Sequence, residues 1–187
     1  MSPVRYVVLF RGINVGGRNK LAMSKLRALL EELGFEDVAT YLQSGNALVT
    51  SRLGGKDVAE TIERALGKQF KFDSELIKVL ALSEAQLKAV VDKRPKGFGD
   101  TPDRHHSDAI FVMGISVKQA LTAFSPREGV DALWPGKGVI YHQRLSAMRT
   151  RTRLNRMMAS PLYLSMTIRS WQTILKLRDM VSGDGSA

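Results

Sequence analysis

The amino-acid sequence predicts an α+β protein of two tandem halves, residues 1–82 and 83–187. Three observations lead there. Short apolar runs alternate with stretches in which leucine recurs at helical spacing. Turn-forming Gly, Asn, Ser and Pro cluster between them. Apolar residues make up 44% and charged residues 25% of the 187, the balance of a soluble globular chain, and the length allows two units of about 90 residues each.

In the first half, Tyr6–Phe10 is an apolar run that predicts a strand over 4–11. The glycine-rich loop Arg11–Lys20 follows. Leu26, Leu29, Leu30 and Leu33 then recur at i, i+3, i+4 and i+7, a helix that Ser24 is expected to cap and Gly34 to end in the left-handed conformation. Val38–Leu42 and Ala47–Ser51 read as strands joined by Gln43-Ser44-Gly45-Asn46, a hairpin signal. Val58, Ile62, Leu66 and Phe70 step by four through a second helix, and Leu76–Leu82 is a further strand. The order β-α-β-β-α-β is the split βαβ arrangement of ferredoxin-like sheets.

In the second half, Ser83 and Gln86 form a capping box for a helix to Asp92. A polar loop runs from Lys93 to Ser107. Ala109–Met113 is a strand, Val117–Phe124 a helix capped by Ser116, and 130–134 and 138–143 are strands around Pro135-Gly136-Lys137-Gly138. Helices over 146–158 and 170–181 complete the chain. The halves agree in element order without a residue-level repeat. The fold class is therefore α+β, two tandem ferredoxin-like α/β sandwich halves.

The absence of cysteine excludes a disulfide framework, a zinc–thiolate centre, an iron–sulfur cluster and a thiol nucleophile. The first apolar run is too short for a signal peptide, and no segment approaches the roughly 18–20 apolar residues that cross a bilayer. A soluble cytoplasmic protein is expected.

In a ferredoxin-like unit the first and second strands run parallel, so the loop after one and the hairpin after the other leave the sheet at the same edge. The first helix begins there as well, with its unpaired N–H groups. Gly12, Gly16 and Gly17 permit close backbone approach, Arg11, Arg18 and Lys20 bring charge, and Asn14, Gln43, Ser44 and Asn46 bring directional hydrogen bonds. Together they describe an anion pocket suited to phosphate. The same residues also read as a tight turn and an ordinary hairpin. The spacing matches neither a dinucleotide fingerprint nor a Walker loop.

The net charge of +10 is uneven, with eight Lys/Arg against two Asp/Glu in residues 141–187. On a helix over 146–158, Arg149, Arg153 and Arg156 make one basic stripe, opposite Ala147, Leu154, Met157 and Met158. Such a stripe can track nucleic-acid phosphates, or simply be solvated. On the last helix Arg178 projects on the side of Trp171, where stacking or pairing with a carboxylate would hold it. Thr167–Thr173 gathers hydroxyls, the Arg169 guanidinium and the Trp171 indole, with Ser170 as a helix cap.

No sequence signature of catalysis is present. Histidines occur only at 105, 106 and 142, and adjacent His105 and His106 lack the i, i+4 spacing of helical metal ligands. No metal and no cofactor is predicted.

The motifs Arg11-Gly12-Ile13-Asn14-Val15-Gly16-Gly17, Leu26–Phe35, Tyr41–Asn46 and Thr167–Leu177 together resemble domain-of-unknown-function family 1697, a family of uncharacterised bacterial proteins. The resemblance runs over nearly the whole chain in the same order. It implies two tandem α/β halves and brings no established activity. The family's late motif usually reads T-x-R-N-W-x-T; here Ser170 holds the Asn position, and a serine keeps a cap but offers fewer donors.

The sequence thus predicts a binding protein for a phosphate-bearing ligand at the edge of the first half. Arg11, Asn14, Gly16, Gly17, Arg18, Gln43, Ser44 and Asn46 are its expected contacts, with Arg169 and Trp171 completing the site. The alternatives are a nucleic-acid-binding protein using Arg149, Arg153 and Arg156, an enzyme of phosphoryl or nucleotide chemistry, and an interaction module whose glycine loop is structural.

Overall fold

The computed structural model describes residues 2–73 and 77–183. The chain divides into two compact units, residues 1–88 with 177–187, and residues 89–176. It is a mixed α+β structure with two four-stranded antiparallel sheets. No described helix is long and apolar enough to cross a membrane.

In the first unit the order is β1 (Val4–Arg11), α1 (Met23–Glu32), β2 (Glu36–Thr40), β3 (Asn46–Ser51), α2 (Gly55–Gln69) and β4 (Lys78–Ser83), followed by α3 (Glu84–Asp92). The sheet order is β2-β3-β1-β4. Because β1 and β2 both pair antiparallel with β3, they run in the same direction. Tyr6, Val8 and Phe10 of β1 join Leu26, Leu29 and Leu30 of α1 and Val58, Ile62 and Leu66 of α2 in one core. The helical spacing in the sequence thus selects the faces that are buried. Gly34 adopts a φ of 81° and ends α1 as expected. The capping box at Ser83 and Gln86 is formed, with both reciprocal bonds present.

The second unit contains β5 (His105–Val112), α4 (Val117–Leu121), β6 (Asp131–Pro135), β7 (Val139–Leu145), a 3-10 turn at Ser146–Arg151, α5 (Leu154–Met158), a 3-10 turn at Pro161–Ser165 and β8 (Met166–Ser170), which leads into α6 (Trp171–Ser182). Its sheet order, β6-β7-β5-β8, repeats that of the first. Ile110, Ile140 and Met166 pack on one face with Ala120 and Met157. On the other face Phe98 stands edge-on to Tyr141 and Trp171 at centroid distances of 5.2 and 5.0 Å. A Cβ on Gly99 would lie 2.4 Å from Trp171 Cδ1, and its φ is +78°, so only glycine fits there.

Several sequence expectations are corrected. Ser24 does not cap α1: the helix begins at Met23 after an extended Ala22, with no side-chain cap. Both backbone polar groups of Leu21 are bound by Asn14, and this delivers the chain into the helix early. The helix expected over 146–158 is broken. Met148 is non-helical and Thr152 is extended, because the Asp131 carboxylate takes the Thr152 hydroxyl and the Arg153 N–H. Of the residues expected to face inward there, only Met157 is buried. Met166–Ser170, most of which falls between the two expected helices with no element assigned, is strand β8 paired with β5. β5 itself begins at His105, inside the expected polar loop. Leu76, expected at the start of a strand, lies outside the described residues.

Candidate functional site

The loop after β1 is built from left-handed backbone. Gly12, Asn14, Gly16, Gly17 and Asn19 have φ of 90°, 54°, 58°, 77° and 48°. Arg18 N–H donates to Val15 O at 3.0 Å across Gly16-Gly17, and Asn14 N–H to Asn19 O at 3.1 Å. Two successive positive φ angles give the tight turn that matches strand twist, a conformation open to glycine at little cost. Asn19 reinforces it through Nδ2–H to Gly12 O at 2.7 Å, while its N–H donates to Asp73 Oδ2 at 2.9 Å.

Asn14 fastens this loop to its surroundings. Its Nδ2 donates to Leu21 O at 2.8 Å and to Gln43 O at 2.9 Å, and its Oδ1 accepts from Leu21 N–H at 2.8 Å. Gln43 belongs to the β2–β3 hairpin, so one side chain ties loop to hairpin. Phe10 N–H donates to Gly45 O at 2.9 Å, a second tie. Ile13 is fully buried, and a Cβ on Gly45 would lie 2.8 Å from it. Asn46 is also fully buried, donating to Tyr41 O at 2.8 Å and Ser44 Oγ at 3.2 Å.

The resulting surface exposes Gly16, Gly17, Arg18, Lys20, Gln43 and Ser44. It also exposes Val15 at 59% and Leu42 at 51%. Leu42 has a φ of 58°, a strained conformation for a large side chain and of a kind that clusters at functional sites. Arg11 is half-buried at the end of β1. Of the expected contacts, the structure brings the loop and hairpin residues together but gives the Asn14 and Asn46 amides internal partners. Their role in the local architecture follows from those bonds.

Arg169 and Trp171 lie in the second unit, both in its interior. Trp171 is enclosed by Phe98, Tyr141 and Gly99. Arg169 donates from Nη1 to Thr167 Oγ1 at 2.9 Å and to Ile168 O at 2.8 Å. Burial pulls its pKa down to about 10, which leaves it charged at neutral pH. Ser170 caps α6 by accepting from Thr173 N–H at 3.3 Å. Arg178 pairs with Asp179 at 2.7 Å, which answers its position near the apolar face. Arg149 and Arg156 are exposed and Arg153 is partly covered, but the broken helix does not carry them as a continuous stripe.

A charged cluster on the sheet of the second unit is not legible in the motifs. His142 of β7 is 2% exposed between two carboxylates, with Nδ1 3.5 Å from Asp108 Oδ2 and Nε2 3.4 Å from Asp131 Oδ1. Asp108 also receives Arg144 Nη1 at 2.7 Å and His106 Nε2 at 3.1 Å. Burial by itself pushes the Asp108 carboxyl up, but His142, His106 and Arg144 outweigh it and hold the pKa below 3.8. For Asp131, burial is likewise outweighed by the Thr152 hydroxyl, the Arg153 and Arg127 N–H groups and His142. The residues occur at 106, 108, 131, 142 and 144, and cross-strand register alone unites them. The alternation His106-x-Asp108 and His142-x-Arg144 on apolar strands was the one available signal.

The full chain is similar to a solved structure, the conserved bacterial protein SP0830 from Streptococcus pneumoniae, with a TM-score of 0.81 and 29% identity over 96% of this chain and 99% of that one. No curated protein matches the sequence. The model of the family described as "Protein of unknown function (DUF1697)" matches residues 4–141, which carry the glycine loop and the hairpin motif. The chain belongs to the DUF1697 family.

Proposed function

We propose that this protein binds a phosphate-bearing ligand at the edge of its first half, on the surface made by the β1–α1 loop and the β2–β3 hairpin. The reading takes each half as a ferredoxin-like unit, in keeping with the repeated strand order. The observation that carries it is the Asn14 tie between loop and hairpin, which joins two polar, glycine-containing segments into one preorganised surface. Arg18 and Lys20 supply positive charge at its rim, and the exposed backbone of Gly16 and Gly17 admits close approach. α1 starts beside this surface without a side-chain cap, so its first N–H groups add a further preference for an anion. Val15 and Leu42 offer apolar contact to the rest of the ligand, which favours a phosphate on an organic group over the bare ion.

Calorimetric titration with a panel of nucleoside monophosphates and sugar phosphates tests this. Saturable binding is expected, weakened about tenfold, or 1.4 kcal/mol, by Arg18→Ala. Absence of saturation across the panel, or an Arg18→Ala variant that binds like the parent, refutes the proposal. The second reading, nucleic-acid binding through Arg149, Arg153 and Arg156, draws on the basic excess in residues 141–187. It predicts oligonucleotide binding that weakens steeply from about 50 to 200 mM salt and that falls for all sequences alike when the three arginines are replaced.

A further inference from the structure

Buried tyrosine and tryptophan each carry a polar group that ordinarily finds a partner. In the second unit Tyr141 spends its hydroxyl on Val90 O at 2.6 Å. Trp171, packed against the same ring at a centroid distance of 6.2 Å, does not spend its own. It is 3% exposed, yet its indole N–H has no acceptor among the described residues. A buried donor without a partner is costly and points to a partner outside the chain.

The N–H is not sealed in. Among the described residues the sealed side-chain atoms lacking a hydrogen bond are Arg5 Nε and His142 Nδ1, and the indole nitrogen is not one of them. It opens on a recess of about 130 Å³ at the start of α6, whose wall includes Gly99, Pro102, Ser107, Trp171 and Gln172. The ring turns its Nε1 edge to Gly99, where a Cβ would lie 2.6 Å from that nitrogen. Glycine at this position keeps the approach to the N–H clear. Strand register sets a second donor on the same side. Ser107 shares a face of β5 with Ala109, which is paired with Tyr141, the ring against which Trp171 packs. Ser107 is 8% exposed, its Oγ accepts from Gln143 Nε2 at 3.1 Å, and its own proton has no acceptor among the described residues. The positive end of the α6 dipole lies here as well.

These donors call for an oxygen acceptor. Among the described residues no Lys, Arg, Asp or Glu is on the wall, and His105 and His106 there carry no permanent charge. An anion would lose its hydration without a fixed counter-charge, whereas a neutral carbonyl gives up far less. The volume exceeds the roughly 10–15 Å³ that admits one water and falls below the roughly 300–1,000 Å³ of drug-sized sites. It admits a group of a few heavy atoms. We propose that this recess binds the amide carbonyl of a small uncharged ligand through the Trp171 indole N–H, with the Ser107 hydroxyl as second donor. The site lies in the other unit from the loop–hairpin surface and does not rest on the phosphate reading.

Acetamide is the probe, and acetate, of the same shape but charged, is its control. The isotope-labelled full chain is titrated with each at about pH 8, above the ordinary imidazole range, at matched ionic strength. Acetamide should shift the Trp171 indole N–H resonance saturably and leave that of Trp134 in place. Acetate should bind at least about tenfold more weakly. Trp171→Phe keeps an aromatic ring and removes the donor, so saturation transfer to acetamide should report at least about tenfold weaker binding. Ser107→Ala, which removes no ring, should weaken binding about threefold and carries the test if the phenylalanine variant does not fold. Trp134 emission reports folding in both. An indole resonance that acetamide leaves unmoved marks a water site only and overturns the proposal. Acetate binding as tightly as acetamide, or folded variants that bind like the parent, overturn it equally.

Discussion

Replacing Asn14 tests whether one side chain joins the glycine loop to the hairpin. Asn14→Ala removes three hydrogen bonds of 2.8–2.9 Å, two donated and one accepted. At about 0.5–1.5 kcal/mol each they are together worth about 2–4 kcal/mol. Residue 14 also has a φ of 54°, where alanine costs about 1 kcal/mol more than asparagine. The expected loss is about 3–5 kcal/mol, spent locally because the loop can open without the sheet. Amide hydrogen exchange is the fitting assay. The N–H groups of residues 14, 18 and 21, bonded within this loop, should exchange at least about 100-fold faster, at 1.4 kcal/mol per factor of ten. Those of Val7 and Leu48 in the paired strands should not change. Asn14→Gly should recover about 1 kcal/mol by relieving the backbone term alone. An Asn14→Ala variant within about 0.5 kcal/mol of the parent, with unaltered exchange at these amides, would refute the reasoning.

Two further outcomes are expected in the second unit, which holds both tryptophans, Trp134 and Trp171, so that their emission monitors it selectively. The Asp108 and Asp131 carboxyls have folded pKa values below 3.8. The stability they contribute is therefore present above their unfolded pKa and is lost as pH falls through the folded values. The urea midpoint read by tryptophan should be level above about pH 5 and fall below about pH 4, and Asp131→Asn should flatten that fall; a midpoint constant to about pH 2.5 would contradict the cluster's role. Gly99→Ala should destabilise this unit by about 2–4 kcal/mol, since it sets a methyl against the Trp171 ring in a left-handed conformation. A variant with unchanged melting temperature and unchanged emission maximum would show that the ring can step aside.

What the sequence determined is what short stretches of chain decide among themselves. Leucines at 26, 29 and 30 and the stepped Val58, Ile62 and Leu66 name their buried faces because an α-helix repeats every 3.6 residues whatever surrounds it. Gly34, the capping box at Ser83 and the Ser116 cap depend on neighbours three or four positions away, and they form as expected; at Ser116 the Gln119 side chain completes a capping box as well. The meeting of the glycine loop with the hairpin was also legible, since a common direction for β1 and β2 sends both segments to one edge. Tertiary structure alone decided the rest. Met166–Ser170 becomes a strand only because β5 offers it an edge. The segment 146–158 carries helix-compatible residues, yet Asp131, 21 and 22 positions before its partners Thr152 and Arg153, takes their hydrogen bonds and breaks the helix. Asn14 and Asn46 have the chemistry of ligand contacts, and the fold engages both amides in its own turns. The cluster around His142 joins side chains up to 36 residues apart. Bonds that close such long loops are set by register between strands, and no local spacing records them.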